Sequence, residues 1–124
     1  MLARATVPVR ALLIAVLAAL SAPALAAPYE GRWAEDVAWC RNTRQNGDEI
    51  AIVITSRSVE QFASSCVVKS VRRNGAAWWL DTLCRDEGED AKQRIPNRFV
   101  LRVDGDQLSM RDLAGVRNFT RCPR

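Results

Sequence analysis

The residues of this chain that could catalyse a reaction are its carboxylates, because histidine is absent from all 124 residues. Its absence removes the commonest general base, the Ser–His and Cys–His nucleophile pairs and the commonest metal ligand. Two carboxylates alone can hydrolyse a glycosidic bond, and the candidates are Glu35 with Asp36 and the acidic run at 86–90. Charge runs with turn composition are usually solvated loops, so we predict no catalytic residue.

The four cysteines, Cys40, Cys66, Cys84 and Cys122, are the other reactive side chains. Zinc sites use closely spaced cysteine pairs, whereas these cysteines are spread along the chain, and the acidic run does not have the spacing of an EF-hand loop. We therefore predict no metal and no cofactor. An even number of cysteines in a small exported domain predicts two disulfides.

The chain has four tryptophans, which is an unusually high number beside three phenylalanines and one tyrosine. Large aromatic side chains dominate both cores and binding interfaces. Trp78 and Trp79 are adjacent on a predicted strand and point to opposite faces, so one of them is a candidate contact residue. The alternative is that the outward tryptophan lies under Arg72 or another arginine.

The N-terminus has the pattern of a secretory signal at residues 1–26. Arg4 and Arg10 precede an apolar stretch that is too short to span a bilayer, and small residues lead to a cut after Ala26. We therefore expect a single exported domain at 27–124, periplasmic or secreted, without a permanent membrane anchor.

The charge of the exported part is close to balanced, because Arg4 and Arg10 belong to the leader and the whole chain has 18 basic against 14 acidic residues. Nucleic-acid binding requires a clustered basic face rather than a small excess. We expect no nucleic-acid partner.

Asp104-Gly105 marks the clearest hairpin, between residues 98–103 and 107–112. If these two residues form the loop, apolar and polar side chains fall on opposite faces. The predicted pairs are Leu101–Leu108, Phe99–Met110, Arg98–Arg111 and Arg102–Gln107.

A second hairpin is predicted between residues 66–72 and 78–84, around Asn74-Gly75. Of a two-residue and a three-residue loop, the three-residue loop at 74–76 places Cys66 opposite Cys84. That register also pairs Val67 with Leu83, Val71 with Trp79 and Lys69 with Asp81. Directly opposed cysteines lie within disulfide range, so we predict Cys66–Cys84 and, by elimination, Cys40–Cys122.

Further strands are predicted at 29–33, 49–55, 58–62 and 116–122, while 34–42 is open between a helical turn and a loop. About eight short strands joined by local turns favour an all-β fold, an antiparallel up-and-down meander closed into a small barrel.

Gly31-Arg32-Trp33, with Arg117 and Arg121 on the last strand, resembles the G-x-W and late-arginine arrangement of the calycin barrels. The resemblance implies that the tryptophan closes one barrel end and that an arginine packs across it. In size and compartment the chain is also similar to small periplasmic inhibitor barrels, whose N-terminal segment enters a protease cleft. The wider pattern of G-x-W-A, Trp39-Cys40, Cys66, Cys84, Glu87-Gly88 and Arg121-Cys122 is similar to small exported two-disulfide proteins of Gram-negative bacteria with no assigned activity.

The leading hypothesis is an exported, non-enzymatic binding or envelope-associated module. Its partner is either a small molecule at the Trp33 end or an envelope protein on the Trp78/Trp79 face, and the candidate binding residues are Trp33, Trp78, Trp79, Arg117 and Arg121. The alternatives are an inhibitor of an envelope or host hydrolase and, third, a carboxylate-dependent hydrolase.

Overall fold

A computed structural model describes residues 2–5, 25–88 and 93–124. Most of the predicted leader at 1–26 lies outside the described residues, and so do Glu89 and Asp90 of the acidic run.

Eight antiparallel strands form a closed barrel in which each strand pairs with its neighbours in sequence and β8 pairs with β1. The strands are β1 Gly31–Ala34, β2 Ile52–Ile54, β3 Ser58–Gln61, β4 Ser64–Asn74, β5 Ala77–Asp86, β6 Ile95–Asp104, β7 Gln107–Asp112 and β8 Gly115–Arg121. The predicted all-β meander is thereby confirmed. Two short 3-10 helices, Val37–Arg41 and Arg44–Asn46, lie between β1 and β2. No helix among the described residues has the length and apolar character needed to cross a membrane.

The interior of the barrel is filled by alternate side chains from its strands. Eight-stranded barrels have an interior just wide enough for side chains to fill. The largest fully buried side chains are Trp33, Phe99, Ile54, Leu80, Leu101, Leu108, Met110, Val59 and Cys66. The side chains predicted to lie on the apolar face of the β6–β7 hairpin are therefore part of a packed core.

The two glycine turns differ from the predicted loops, because glycine takes the first turn position in both. Asn74 pairs with Ala77 and Asp104 pairs with Gln107, which leaves two-residue loops that begin with Gly75 (φ 59°) and Gly105 (φ 57°). A type II′ turn needs a positive φ at that first position, which glycine adopts without strain.

The register of the β6–β7 hairpin is therefore shifted by two residues from the prediction. Leu101 faces Met110 rather than Leu108. A shift of two keeps every side chain on its predicted face, so the four core residues of this hairpin remain inside.

The β4–β5 hairpin combines a shorter loop with a β-bulge. Cys66 faces Cys84 and Val67 faces Leu83 as predicted, but the register shifts between Val68 and Ser70. The predicted pairs beyond that point are wrong: Val71 faces Leu80, Arg72 faces Trp79, and Ser70 takes the place of Lys69 opposite Asp81. A bulge inserts one extra residue in one strand, which compensates for the missing loop residue.

Both predicted disulfides are confirmed. Cys66–Cys84 joins neighbouring strands with a Cα–Cα distance of 4.0 Å, and Cys40–Cys122 joins the segment after β1 to the end of β8 with a Cα–Cα distance of 5.6 Å. Two disulfides indicate an oxidising compartment outside the cytoplasm.

Removal of Cys40–Cys122 by the double change to alanine is expected to lower the free energy of unfolding by about 4.5 kcal/mol, because the bond closes a long loop. It spans a sequence separation of 82, against 18 for Cys66–Cys84. Urea unfolding of the oxidised variant measures the loss, with the fully reduced wild type as the control. A loss below about 1 kcal/mol would contradict the chain-entropy explanation.

Candidate functional site

One end of the barrel is closed by Trp33 and Arg121. The Trp33 ring has no exposed surface, and its Nε1 donates a hydrogen bond to the Tyr29 carbonyl oxygen at 2.9 Å. The Arg121 guanidinium lies 4.1 Å from the centre of the Trp33 ring and donates to the carbonyl oxygens of Pro28 (2.7 Å) and Glu30 (3.1 Å). A cation over an indole face that also satisfies two backbone acceptors is a strong fixed contact.

Gly31 is required by this closure. Its φ is +141°, and a Cβ at this position would lie 3.0 Å from Arg121 Nη1. Glycine alone combines that backbone conformation with so close an approach. The G-x-W spacing thus has a physical cause: the glycine leaves room for the arginine that covers the tryptophan.

Trp78 belongs to the same closed end. Its side chain points inward beside Leu101, and its ring meets the Tyr29 ring edge-on at 5.3 Å between centroids. Arg73 lies 4.9 Å from the centre of the Trp78 ring. Trp78 is therefore part of the packing that seals the barrel.

Trp79 is the outward tryptophan and lies between two arginines. Arg72 and Arg98 are 5.4 Å and 4.9 Å from the centre of its ring. Asp81 joins the two cations, with Oδ1 2.7 Å from Arg98 Nε and Oδ2 3.9 Å from Arg72 Nη2. The hydrogen bond from Arg98 lowers the pKa of Asp81 below its usual range, and the same bond raises the pKa of Arg98.

Arg117 lies at the opposite end of the barrel, which is rimmed by exposed apolar side chains. Its guanidinium is 5.3 Å from the centre of the Phe119 ring and donates to Gln61 Oε1. Phe62 is 44 % exposed, Ile95 is 54 % exposed and Leu113 is 98 % exposed. Solvent-facing apolar side chains gathered at one place suggest an interaction site.

A surface groove runs from the outer wall beside Arg98 to this rim. It consists of a depression of about 520 Å³ and a second depression of about 330 Å³. The two depressions share Pro96, Asn97, Asp112 and Leu113. We call the two depressions together the β6 groove. Its outer part, the larger depression, is lined by Arg98, Val100 and Arg111, and its inner part is lined by Phe62, Ile95 and Arg117.

The turn that carries Leu113 is fixed by hydrogen bonds. Asp112 Oδ1 accepts from the Ala114 backbone N–H at 2.9 Å, and Asp112 Oδ2 accepts from Asn97 Nδ2 at 3.5 Å. Thr82 Oγ1 donates to the Asn97 carbonyl oxygen at 2.8 Å. The Leu113 side chain is consequently presented on a defined support rather than on a loose loop.

The groove is chemically suited to binding. Two of its three carboxylates already act as acceptors, Asp81 for Arg98 and Asp112 for Asn97 and Ala114, and the third, Asp86, lines the inner part. Outside the groove, Asp36 Oδ1 caps a 3-10 helix by accepting from the Ala38 N–H at 2.9 Å. Apolar surface beside arginine donors recognises a ligand that has both apolar and anionic groups.

The predicted binding residues separate into two groups. Trp33, Trp78 and Arg121 pack together at the closed end, while Trp79 lies behind Arg98 at one side of the groove and Arg117 lies at its inner part. The sequence reasoning did not select Leu113, Pro96 or Arg111. The available signals were a proline just before the predicted strand at 98–103 and a leucine between the predicted strands at 107–112 and 116–122, since proline is rare within sheets and polar residues dominate turns.

Comparison of the chain with models of protein families, with characterised proteins and with solved structures finds no match. Within the described residues, no three acidic or cysteine side chains gather as a metal site.

Arg121→Leu is expected to lower the free energy of unfolding by about 2–3 kcal/mol, because it leaves two carbonyl oxygens without a donor and removes the cation from Trp33. Arg117→Leu is the matched control, since that side chain is exposed, and it is expected to cost less than about 1 kcal/mol. Urea unfolding followed by tryptophan fluorescence measures both. Equal losses in the two variants would contradict the role of Arg121 in closure.

Asp81→Asn is expected to destabilise the barrel at neutral pH and to have little effect in acid. The folded-state pKa of Asp81 is lowered, so its stabilisation is complete above the unfolded value of about 3.9 and is lost as the pH falls through the folded value. Urea midpoints of wild type and variant from about pH 7 to about pH 2 should converge at the acid end. A constant difference across this range would contradict the ion pair as the cause.

Proposed function

We propose that this protein is an exported binding module of the cell envelope, without catalysis of its own, that holds its partner in the β6 groove. The observation that carries the proposal is the contrast between a filled interior and an open groove. Trp33, Leu80, Phe99 and Leu101 have no exposed surface, whereas the outer depression alone measures about 520 Å³. A partner that met the outside of the barrel would not have to displace the core.

The proposal of a non-enzymatic role is supported by the residue types and by how the groove carboxylates are used. The chain has no histidine, and Asp81 and Asp112 already accept hydrogen bonds from neighbouring groups. The lowered pKa of Asp81 keeps it ionised, which suits an ion pair rather than a general acid. A hydrolytic activity that disappeared on changing one carboxylate would overturn this part of the proposal.

Export with a cut after Ala26 is supported by the contacts of Ala27. Its backbone nitrogen donates to Glu30 Oε2 at 2.5 Å, and its carbonyl oxygen accepts from the Glu30 N–H at 2.9 Å. In a chain that begins at Ala27, the terminal ammonium would face the Glu30 carboxylate. The cut would thus leave the new terminus paired at the closed end, and the mature protein would be periplasmic or secreted.

Inhibition of an envelope or host hydrolase is a second candidate, favoured by Leu113. A nearly fully exposed leucine on a turn fixed by Asp112 resembles the anchor residues that fill a pocket in a partner protein. Insertion of the N-terminal segment is a poor fit, because Arg121 holds the Pro28 carbonyl oxygen at the closed end.

A photo-crosslinking amino acid placed at Leu113 in living cells is expected to yield a specific adduct, because this side chain projects from the groove into solvent. The same amino acid at Ser56, an exposed position on the turn between β2 and β3, is the matched control at the far end of the barrel. Denaturing gels and mass spectrometry of the purified protein detect and identify the adduct.

An adduct from position 113 and none from position 56 would support the groove as the binding site, and a hydrolase in that adduct would favour the inhibitor. Equal adducts from both positions, or none from 113 in a folded barrel, would contradict the proposal.

A further inference from the structure

The β6 groove contains a sheet edge that the barrel does not use. β5 pairs with β6 from Arg102 down to Ile95, but β7 pairs with β6 only from Asp104 to Val100. The β7–β8 turn begins after Asp112. Within the described residues, the stretch 95–98 thus has a strand partner on one side only.

The backbone atoms on this edge follow from the register. Asp104 and Gln107 flank a two-residue turn and form a hydrogen-bonded pair. Hydrogen-bonded pairs alternate with non-hydrogen-bonded pairs in an antiparallel ladder, so the backbone N–H and C=O groups of Arg102 and Val100 also point toward β7. By the same alternation, the N–H and C=O of Arg98 and the C=O of Pro96 point into the groove. None of these atoms takes part in the backbone hydrogen bonds found outside the ladders of the described chain.

The side chains around the edge provide apolar contacts. Pro96 and Val100 form an apolar floor on the outer wall, and Leu113 stands across the groove from them. Further along, Ile95 and Phe62 offer apolar surface on the other side of the same edge. A strand laid along the edge would place alternate side chains against these two surfaces.

The charge of the outer part of the groove favours an acidic occupant, whereas Asp86 lines the inner part together with Arg117. Arg98 is paired with Asp81, but no carboxylate within the described residues lies in ion-pair distance of Arg111 or Arg117. Asp112 is engaged by Asn97 and Ala114. Arg111 therefore presents a cationic group toward whatever lies in the outer part of the groove.

We propose that the groove binds an extended acidic-apolar segment of a partner protein, which adds to the free edge of β6 at Arg98 as an extra strand. This inference rests on the proposed function and specifies its partner. Backbone hydrogen bonds would provide affinity, while the apolar surfaces and Arg111 would select the sequence. Pro96 limits the edge, because it has no N–H to donate, and that protects the barrel from unselective edge pairing.

The test uses a short fluorescein-labelled peptide of alternating valine and glutamate, with fluorescence anisotropy as the readout. Arg111→Glu is expected to weaken binding by about tenfold or more, because it replaces an attraction by a repulsion. Arg57→Glu is the matched control, since Arg57 is exposed on the turn between β2 and β3, and it should change the affinity by less than about twofold. Circular dichroism establishes that both variants are folded.

Two N-methylated forms of the peptide test the strand addition itself and leave the protein unchanged. Methyl groups on one alternating set of amides block one edge of the added strand, and methyl groups on the other set block the opposite edge. Strand addition predicts that one form loses binding and the other keeps it.

The inference is overturned if both methylated forms bind equally, if a valine–lysine peptide binds as well as the acidic one, or if wild type binds no peptide at about millimolar concentration. It is also overturned if Arg111→Glu instead abolishes binding to phosphatidylglycerol vesicles or self-association. These failures are distinct from failure of the proposed function, because crosslinking from position 113 would persist if the groove bound a different partner.

Discussion

The contact of Arg121 with Trp33 is the interaction on which this small barrel depends. One guanidinium covers the indole, holds two carbonyl oxygens of the N-terminal segment and approaches Asp106 in the β6–β7 turn at 3.6 Å. It thereby connects the first strand, the last strand and the β6–β7 turn. The Cys40–Cys122 bond begins one residue beyond it and fixes the same closure covalently.

The two ends of the barrel differ, because one is filled by aromatic side chains and the other opens into the β6 groove. Trp33 lies under Arg121, Trp78 lies under Arg73, and Tyr29 packs edge-on against Trp78, so side chains fill the closed end among the described residues. At the other end β6 is longer than the part of it that β7 covers, so the sheet opens beside the Leu113 turn. The groove is thus a consequence of unequal strand lengths, and its arginines and apolar side chains give it a chemical preference.

Much of the fold follows from the sequence because side-chain period and cysteine placement constrain it tightly. The alternation of apolar and polar residues predicts that Phe99, Leu101, Leu108 and Met110 point inward, and all four are buried. This holds although the observed register differs from the predicted one by two residues, because a shift of two keeps each side chain on the same face of the strand. Opposed cysteines located the β4–β5 pairing correctly from Cys66 to the bulge. The bulge at Lys69 could not be predicted, because a longer loop and a bulge place Cys66 and Cys84 equally well.

The candidate site was less accessible to sequence reasoning than the core. Tryptophan content directed attention to Trp33 and Trp78, whose packing serves the closed end, and only Trp79 and Arg117 are near the groove. A groove depends on where neighbouring strands end relative to one another, and no local pattern around Pro96 or Leu113 encodes that. Residues that define an opening are recognisable only after the register is known.

The central claim is that the partner of this protein binds outside a barrel whose interior is already full. A native mass spectrum of the protein purified from the periplasm tests it most directly. The account predicts the mass of the polypeptide with two disulfides and no retained small molecule. A small apolar molecule that stays bound in the native spectra of the wild type and of Arg111→Glu alike, and is released on unfolding, would contradict it, because the β6 groove would then not be its site.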